Sequence, residues 1–246
     1  MLRELEHGLA AARAAGAQLL LTPEAWGGGG MAPRSAHAQP GEPSDGPLLR
    51  AASDLARSYG VALALGYLER AFGNLFSAAV VYGADGCARG HYRRCHLLPG
   101  EAPQLAAGSW LTIAPLHAHR LGLSLGADIL LPEPARCLAL AGATLLLHLD
   151  SPQPAPPRSR EWFRLRAIEN GIPLAVASGR GSLSGLYLPD GGVREATGML
   201  DVLELPETAA LPRPGRRPEL YGILGMIDDP AAGTQPSREG RHGRGP

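Results

Sequence analysis

Leu121-Gly-Leu-Ser-Leu-Gly126-Ala127-Asp128-Ile-Leu-Leu-Pro132-Glu133 is the stretch that decides the fold. Its apolar run closes on a Pro-Glu pair suited to the first turn of a helix, so the pattern predicts a buried strand feeding a helix over about 132–141. Gly126, Ala127 and Asp128 then lie at the strand's carboxyl end, where α/β folds gather their ligands. Downstream the rhythm repeats, with a strand over TLLLHL (144–149), a helix over about 159–170 and a strand over PLAVAS (173–178).

Upstream, residues 2–15 carry apolar side chains at helical spacing up to Gly16, and QLLLT reads as a short strand ended by Pro23-Glu24. A long loop runs from Gly27 to Gly46; it exceeds the usual structureless connection and so either rims a pocket or is mobile. Helical period returns over 48–59. VALALGYLE and LFSAAVVYG follow as strands about a Gly-Asn turn, and Ala84-Asp85-Gly86 leads into a strand near Arg89 to Tyr92. Further strands are expected at 110–114 and 120–126. Helix–strand units mixed with hairpins indicate layered sheets covered by helices, within the α/β class. From Pro206 onward Pro, Gly, Arg and Glu dominate, which places one domain over 1–226 and a disordered tail over 227–246, with Glu219 to Leu224 able to dock as a strand.

The 246 residues are 45% apolar with a formal net charge of +0, so one sizeable core is available and neither nucleic acid nor a membrane surface is an expected partner. No apolar run reaches the roughly 18 residues of a spanning helix, and the charged amino terminus is unlike a signal peptide. The expectation is a soluble cytoplasmic protein. Three cysteines, Cys87, Cys95 and Cys137, have no metal-ligand spacing and make an odd count, so free thiols, no metal and no cofactor are expected. All 23 basic residues are Arg and Lys is absent, so an Arg where Lys is usual says little about any single position.

Six separated segments, in order, resemble the nitrilase superfamily, the carbon-nitrogen hydrolases that carry a Glu-Lys-Cys triad on a four-layer αββα sandwich. LLLTPEAW is similar to the segment that delivers the catalytic Glu, here Glu24. GYLE, Asn74, Asp85-Gly86 and YRRCHL resemble the run into the catalytic Lys, whose position holds Arg94. Glu101, in HLLPGE, matches a second glutamate placed beside the triad. LGLSLGADILLPEP resembles the nucleophile segment, with Gly126 at the Cys position, Ala127 at the following Tyr and Asp128 at the family Asp. WFRLRAIENGIPLAVASGRG and LYLPDGGV are similar to the helix, strand and hairpin behind the site. The resemblance implies a sandwich lacking the first family strand, because this chain begins inside the first helix. It also implies a homo-oligomer paired through the nucleophile-side helices.

The family chemistry needs a thiolate to attack an amide or nitrile carbon, a carboxylate to move the proton, and a donor for the developing oxygen charge. Gly126 offers no side chain, and the Arg94 fork is larger and differently aimed than an ammonium. The expected function is therefore a pseudoenzyme that binds a small amide-like or carboxylate ligand through Ala127, Asp128 and His148, or serves as a scaffold or regulatory subunit. The alternative is a weak amidohydrolase working by Glu24-assisted water attack. Since Gly126 and Ala127 vacate space that Arg94 can enter, an ion-paired cluster of Arg94 with Glu24 and Glu101 is expected.

Other candidates read more simply. Cys95 alternates away from Arg94 on an extended strand, Cys137 is expected as a packed thiol on its helix, and Cys87 as a turn residue. His96 is expected as a structural or rim histidine and Ser124 as buried polar packing, while His148 and Asp150 end a strand at the same layer edge as Gly126. Arg166 and Glu169 are expected as a buried ion pair. The Gly27 to Gly30 run lacks the context of a phosphate cradle.

Overall fold

The computed structural model describes residues 2–26, 41–151, 158–179, 183–198, 200–206 and 215–225. The expected loop from Gly27 and the tail over 227–246 fall largely outside these residues. The chain divides into a unit spanning Met1–Leu211 and a second spanning Pro212–Pro246.

The first unit is a four-layer sandwich. Its elements run α1 (Leu2–Ala14), β1 (Leu19–Leu21), α2 (Pro47–Tyr59), β2 (Ala62–Ala71), β3 (Asn74–Tyr82), β4 (Ala88–Arg93), β5 (Ile113–Leu116), β6 (His119–Leu125), α3 (Pro132–Leu140), β7 (Leu145–Asp150), α4 (Ser159–Asn170), β8 (Leu174–Ser178), β9 (Gly185–Tyr187) and β10 (Val193–Glu195). One sheet has the order β1-β2-β3-β4 and the other β10-β9-β8-β7-β6-β5. β1, β6, β7 and β8 run parallel to their crossover partners, and the hairpins are antiparallel.

The alternation of side chains explains the layering. Leu63, Leu65 and Tyr67 of β2 turn outward to pack with Leu5 and Leu9 of α1 and Ala52 and Ala56 of α2. Ala62 and Ala64 turn inward against Leu121, Leu123, Leu125, Leu147 and Leu149 of the second sheet. Leu146 and Val176 face Leu138 of α3 and Phe163 and Ala167 of α4. Both sheets are thus covered on both faces, which is why their strands read as continuous apolar runs rather than as alternating ones. β1 is the outermost strand of its sheet among the described residues.

Three expectations need correction. The strand placed at 110–114 begins at Ile113, because its register is set by the turn that pairs Leu116 with His119; Trp110 lies outside it, 82% exposed. Pro115 fits there because β5 is an edge strand. Glu219 to Leu224 is no strand: Pro218–Leu220 and Gly222–Gly225 are two short 3-10 turns, where Pro218 opens the first turn and the glycines favour tight bends. Cys137 is exposed rather than packed, since Ala135 and Leu138 are the residues of α3 that face the core.

Candidate active site

The site lies where the strand ends of the two sheets meet. β1 delivers Glu24 through Thr22 and Pro23. The Thr22 hydroxyl accepts the Gly66 amide at 3.0 Å, and the Glu24 amide donates to the Asp150 carbonyl at 3.2 Å, which ties the first sheet to the second. Gly66 is required for this approach, because a Cβ there would stand 2.3 Å from the Pro23 carbonyl oxygen. Ala25 follows with φ 50, a left-handed conformation that costs a non-glycine residue about 1–3 kcal/mol and fixes the direction of the glutamate.

Arg94 arrives at the end of β4, its amide held by the Ser77 carbonyl at 2.8 Å. Its Nη1 lies 3.0 Å from Glu24 Oε1 and its Nη2 lies 2.8 Å from Glu101 Oε2, the second an ionic contact outside hydrogen-bond alignment. The Ser77 hydroxyl also donates to Glu24 Oε1. The side chains of Glu24 and Arg94 are 0% and 1% exposed. Burial pushes the Glu24 carboxyl up from its ordinary range, against the opposing pull of Arg94 and Ser77. Two carboxylates sharing one guanidinium leave Glu24 Oε2 and Arg94 Nε without hydrogen-bond partners.

Gly126 opens a 3-10 turn, Gly126–Leu130, with φ 45. A Cβ on it would meet Arg94 Nη1 at 2.5 Å and Glu24 Oε2 at 2.7 Å. The space that any side chain at residue 126 would need is therefore held by the guanidinium and its carboxylate partner. The cluster of Glu24, Arg94, Glu101 and Gly126 expected from the sequence is assembled, and it is closed.

The residues expected to contact a ligand have other partners. Asp128 Oδ1 accepts the His96 amide at 3.0 Å and faces the ring Nδ1 at 2.8 Å, while Oδ2 accepts the Tyr92 hydroxyl at 2.7 Å and the Leu125 amide at 3.1 Å. That carboxylate is a strut between the Arg94 segment and the Gly126 turn, with no oxygen left for a ligand. His148 is fully buried on the helix side of the second sheet, its ring centroid 5.2 Å from that of Phe163. Its Nδ1 lies 3.0 Å from the Ser124 hydroxyl, and its Nε2 lies 3.7 Å from Asp150. The row from Ser124 to His148 and Asp150, continued by Ser178 at 2.7 Å, is a buried polar seam across three strands. Ala127 is half-buried beside Gly126.

Arg166 does more than pair with Glu169 at 2.6 Å. It also donates to the carbonyls of Ile129 at 3.0 Å and Leu130 at 3.2 Å, which pins the turn that carries Gly126. The single S–H of Cys95 lies within reach of the carbonyls of Arg93 and Trp110, and burial pushes its pKa up, which disfavours a thiolate there. Sequence reasoning missed Ser77, although a lone polar residue inside the apolar run LFSAAVVY is a usable signal, and it missed Tyr92, two residues before Arg94. It also missed Glu69, buried in a two-pronged grip by Arg93 at 2.7 and 2.8 Å. Among the described residues no group of three or more His, Cys, Asp or Glu is placed to hold a metal, and no helix is long and apolar enough to cross a membrane.

Comparison with known proteins agrees with this architecture. The "Hydrolase in pqqF 5'region" of Pseudomonas protegens is 33% identical over 236 residues, covering 87% of this chain and 83% of that protein. An (R)-stereoselective amidase of a Pseudomonas species is 32% identical over 136 residues, 55% of this chain and 49% of that one. The crystal structure of an amidase from Nesterenkonia sp. superimposes with a TM-score of 0.73 at 26% identity, covering 89% of this chain and 88% of that one. A mutant of the Nesterenkonia sp. AN1 amidase carries the acetamide moiety of fluoroacetamide on its active-site cysteine. The carbon-nitrogen hydrolase family model matches residues 1–197, and the chain belongs to that family.

Proposed function

We propose that this chain is a non-hydrolytic member of the carbon-nitrogen hydrolase family, whose catalytic centre is sealed by its own Arg94 and which acts as a scaffold or regulatory subunit. One observation carries the reading: a Cβ at Gly126, the position that the sequence resemblance gives to the nucleophile, would overlap Arg94 Nη1 at 2.5 Å. Without a nucleophile the covalent route is closed, and a triad deprived of its nucleophile keeps only roughly 10³–10⁴ over water in the best-studied case. A small amide-like or carboxylate ligand would enter only by displacing the guanidinium. Leu140, Leu165 and Ile168 on α3 and α4 are 54%, 46% and 42% exposed, which supports a homo-oligomer paired through those helices.

A second reading rests on Glu24. Its Oε2 is buried without a partner and its carboxyl is pushed up by burial, the properties of a general base able to activate water. Ammonia release from a panel of short amides and nitriles separates the two. The wild type is expected to be silent, and a Gly126→Cys/Arg94→Lys double variant to regain turnover. Turnover in the wild type that Glu24→Gln abolishes would replace the first reading with the second.

A further inference from the structure

The loop that follows Arg94 covers the ion-paired cluster and is held down in four ways. Its ends are joined, since the Gly108 amide donates to the Arg94 carbonyl at 2.8 Å and the Ala106 amide to Leu75 at 2.8 Å. Leu97 and Leu105 pack on Ala25, Leu68 and Leu75, directly beside Glu24. Glu101 folds back to accept the Leu98 amide at 2.8 Å while its other contact is Arg94. A loop closed on itself and packed by its own side chains can lift as a unit. Its outer limb, Leu98 to Gly100, is exposed.

A fourth hold is polar and faces water. His96 meets Asp128 through both its amide, at 3.0 Å, and its ring Nδ1, at 2.8 Å, with the histidine side chain 38% exposed and the aspartate 0%. We propose that His96 is a proton-operated latch: protonated, it clamps the loop from Cys95 to Leu105 onto the Gly126 turn through Asp128, and neutral, it lets the loop lift away from Arg94 and Glu24.

The charged groups around the latch favour this use. Asp128 approaches from the 3-10 turn and Glu133 from α3, and hydrogen bonding to Asp128 holds the imidazole above its ordinary value of 6.5, with Glu133 adding to the effect. Tyr92, from β4, shares Asp128, but its phenol is pushed far above its ordinary range, and burial pushes the neighbouring Cys95 thiol up as well. Arg94 and Glu101, on the latch's own segment, are paired to each other. Because the folded value is raised, the clamp is complete below the unfolded value of about 6.5 and is lost as pH climbs through the folded one. The inference does not depend on whether the site turns over any substrate.

Hydrogen–deuterium exchange of the full chain tests it, with protection factors corrected for intrinsic exchange and referred to peptides of α1. Charge-assisted hydrogen bonds are about twice as strong as neutral ones, so protection over 95–105 is expected to fall roughly tenfold between pH 6 and pH 9 while α1 stays constant. His96→Gln is expected to give low, pH-independent protection over the same peptides. Should that variant fail to fold, the imidazole titration of His96 followed by NMR in the wild type must share the midpoint of the exchange profile. A flat wild-type profile, a pH-dependent His96→Gln, or two separate midpoints would each overturn the latch.

Discussion

Replacing Gly126 by Ala tests the plugged centre with a single methyl group. The new Cβ would stand 2.5 Å from Arg94 Nη1 and 2.7 Å from Glu24 Oε2, so both must retreat by close to an ångström (~1 Å) to ordinary contact. Both are ends of flexible side chains, but they are buried and bound to each other at 3.0 Å. Retreat therefore strains the ion pair, whose complete loss would cost about 3–5 kcal/mol. A φ of 45 adds about 1–2 kcal/mol for any residue with a Cβ. Taking half of the ion-pair loss plus the backbone term gives a destabilisation of about 3 kcal/mol. In an Arg94→Lys background the planar fork is gone and Glu24 is no longer held against it, so Glu24 can yield to the methyl and the same substitution should cost little more than the backbone term, about 1–2 kcal/mol. The two changes should thus couple by about 1–2 kcal/mol in a double-mutant cycle read from urea midpoints at constant slope. Additivity within about 0.5 kcal/mol would refute the overlap of Arg94 with a side chain at residue 126.

Arg94→Met strands two buried carboxylates and is expected to destabilise by about 3–5 kcal/mol at pH 8 and by less at pH 5, where Glu24, already pushed up by burial, takes up a proton; an equal loss at both values, read by urea unfolding, would contradict the shared ion pair. At Glu69 burial works to raise the carboxyl, but the hydrogen bonds of Arg93 and His91 outweigh it and hold it down to about 2. A depressed folded value gives stability that is present above the unfolded value of 4.5 and is lost as pH falls towards about 2, so Glu69→Gln should be less stable at pH 7 and have a flatter acid limb in thermal melts. Arg166→Met frees the Ile129 and Leu130 carbonyls and should cost about 3 kcal/mol, with faster amide exchange over 126–131 than elsewhere.

The layers were legible because apolar period and turn chemistry agree along most of the chain. Ser159–Asn170 could be placed as α4 from its pattern alone, closing on Gly171. β5 was misplaced because Trp110 and Leu111 look like strand residues, while the pairing of Leu116 with His119 sets the register. The identities of Glu24, Arg94, Glu101 and Gly126 were legible only as a pattern of separated segments; no local property of any one marks it as part of a cluster. That Arg94 would fill the space at Gly126 and pair with Glu24 and Glu101 could be inferred from volume and charge; the hold of Ser77 on Glu24 could not. The roles of Asp128 and His148 were not legible, because a carboxylate or imidazole at a strand end reads the same whether it faces a ligand or is spent on Tyr92, His96 or Ser124. The strand alternation read for Cys95 against Arg94 also separates Arg93 from Arg94, one on Glu69 and one on Glu24, though the sequence reading gave Arg93 no role.

A crystal structure of the wild-type chain soaked with a short amide tests the central claim most directly. The expected result is the Arg94 guanidinium lodged between Glu24 and Glu101, against Gly126, with no amide beside it. An amide seated on Glu24, with Arg94 swung out towards solvent, would contradict the sealed centre.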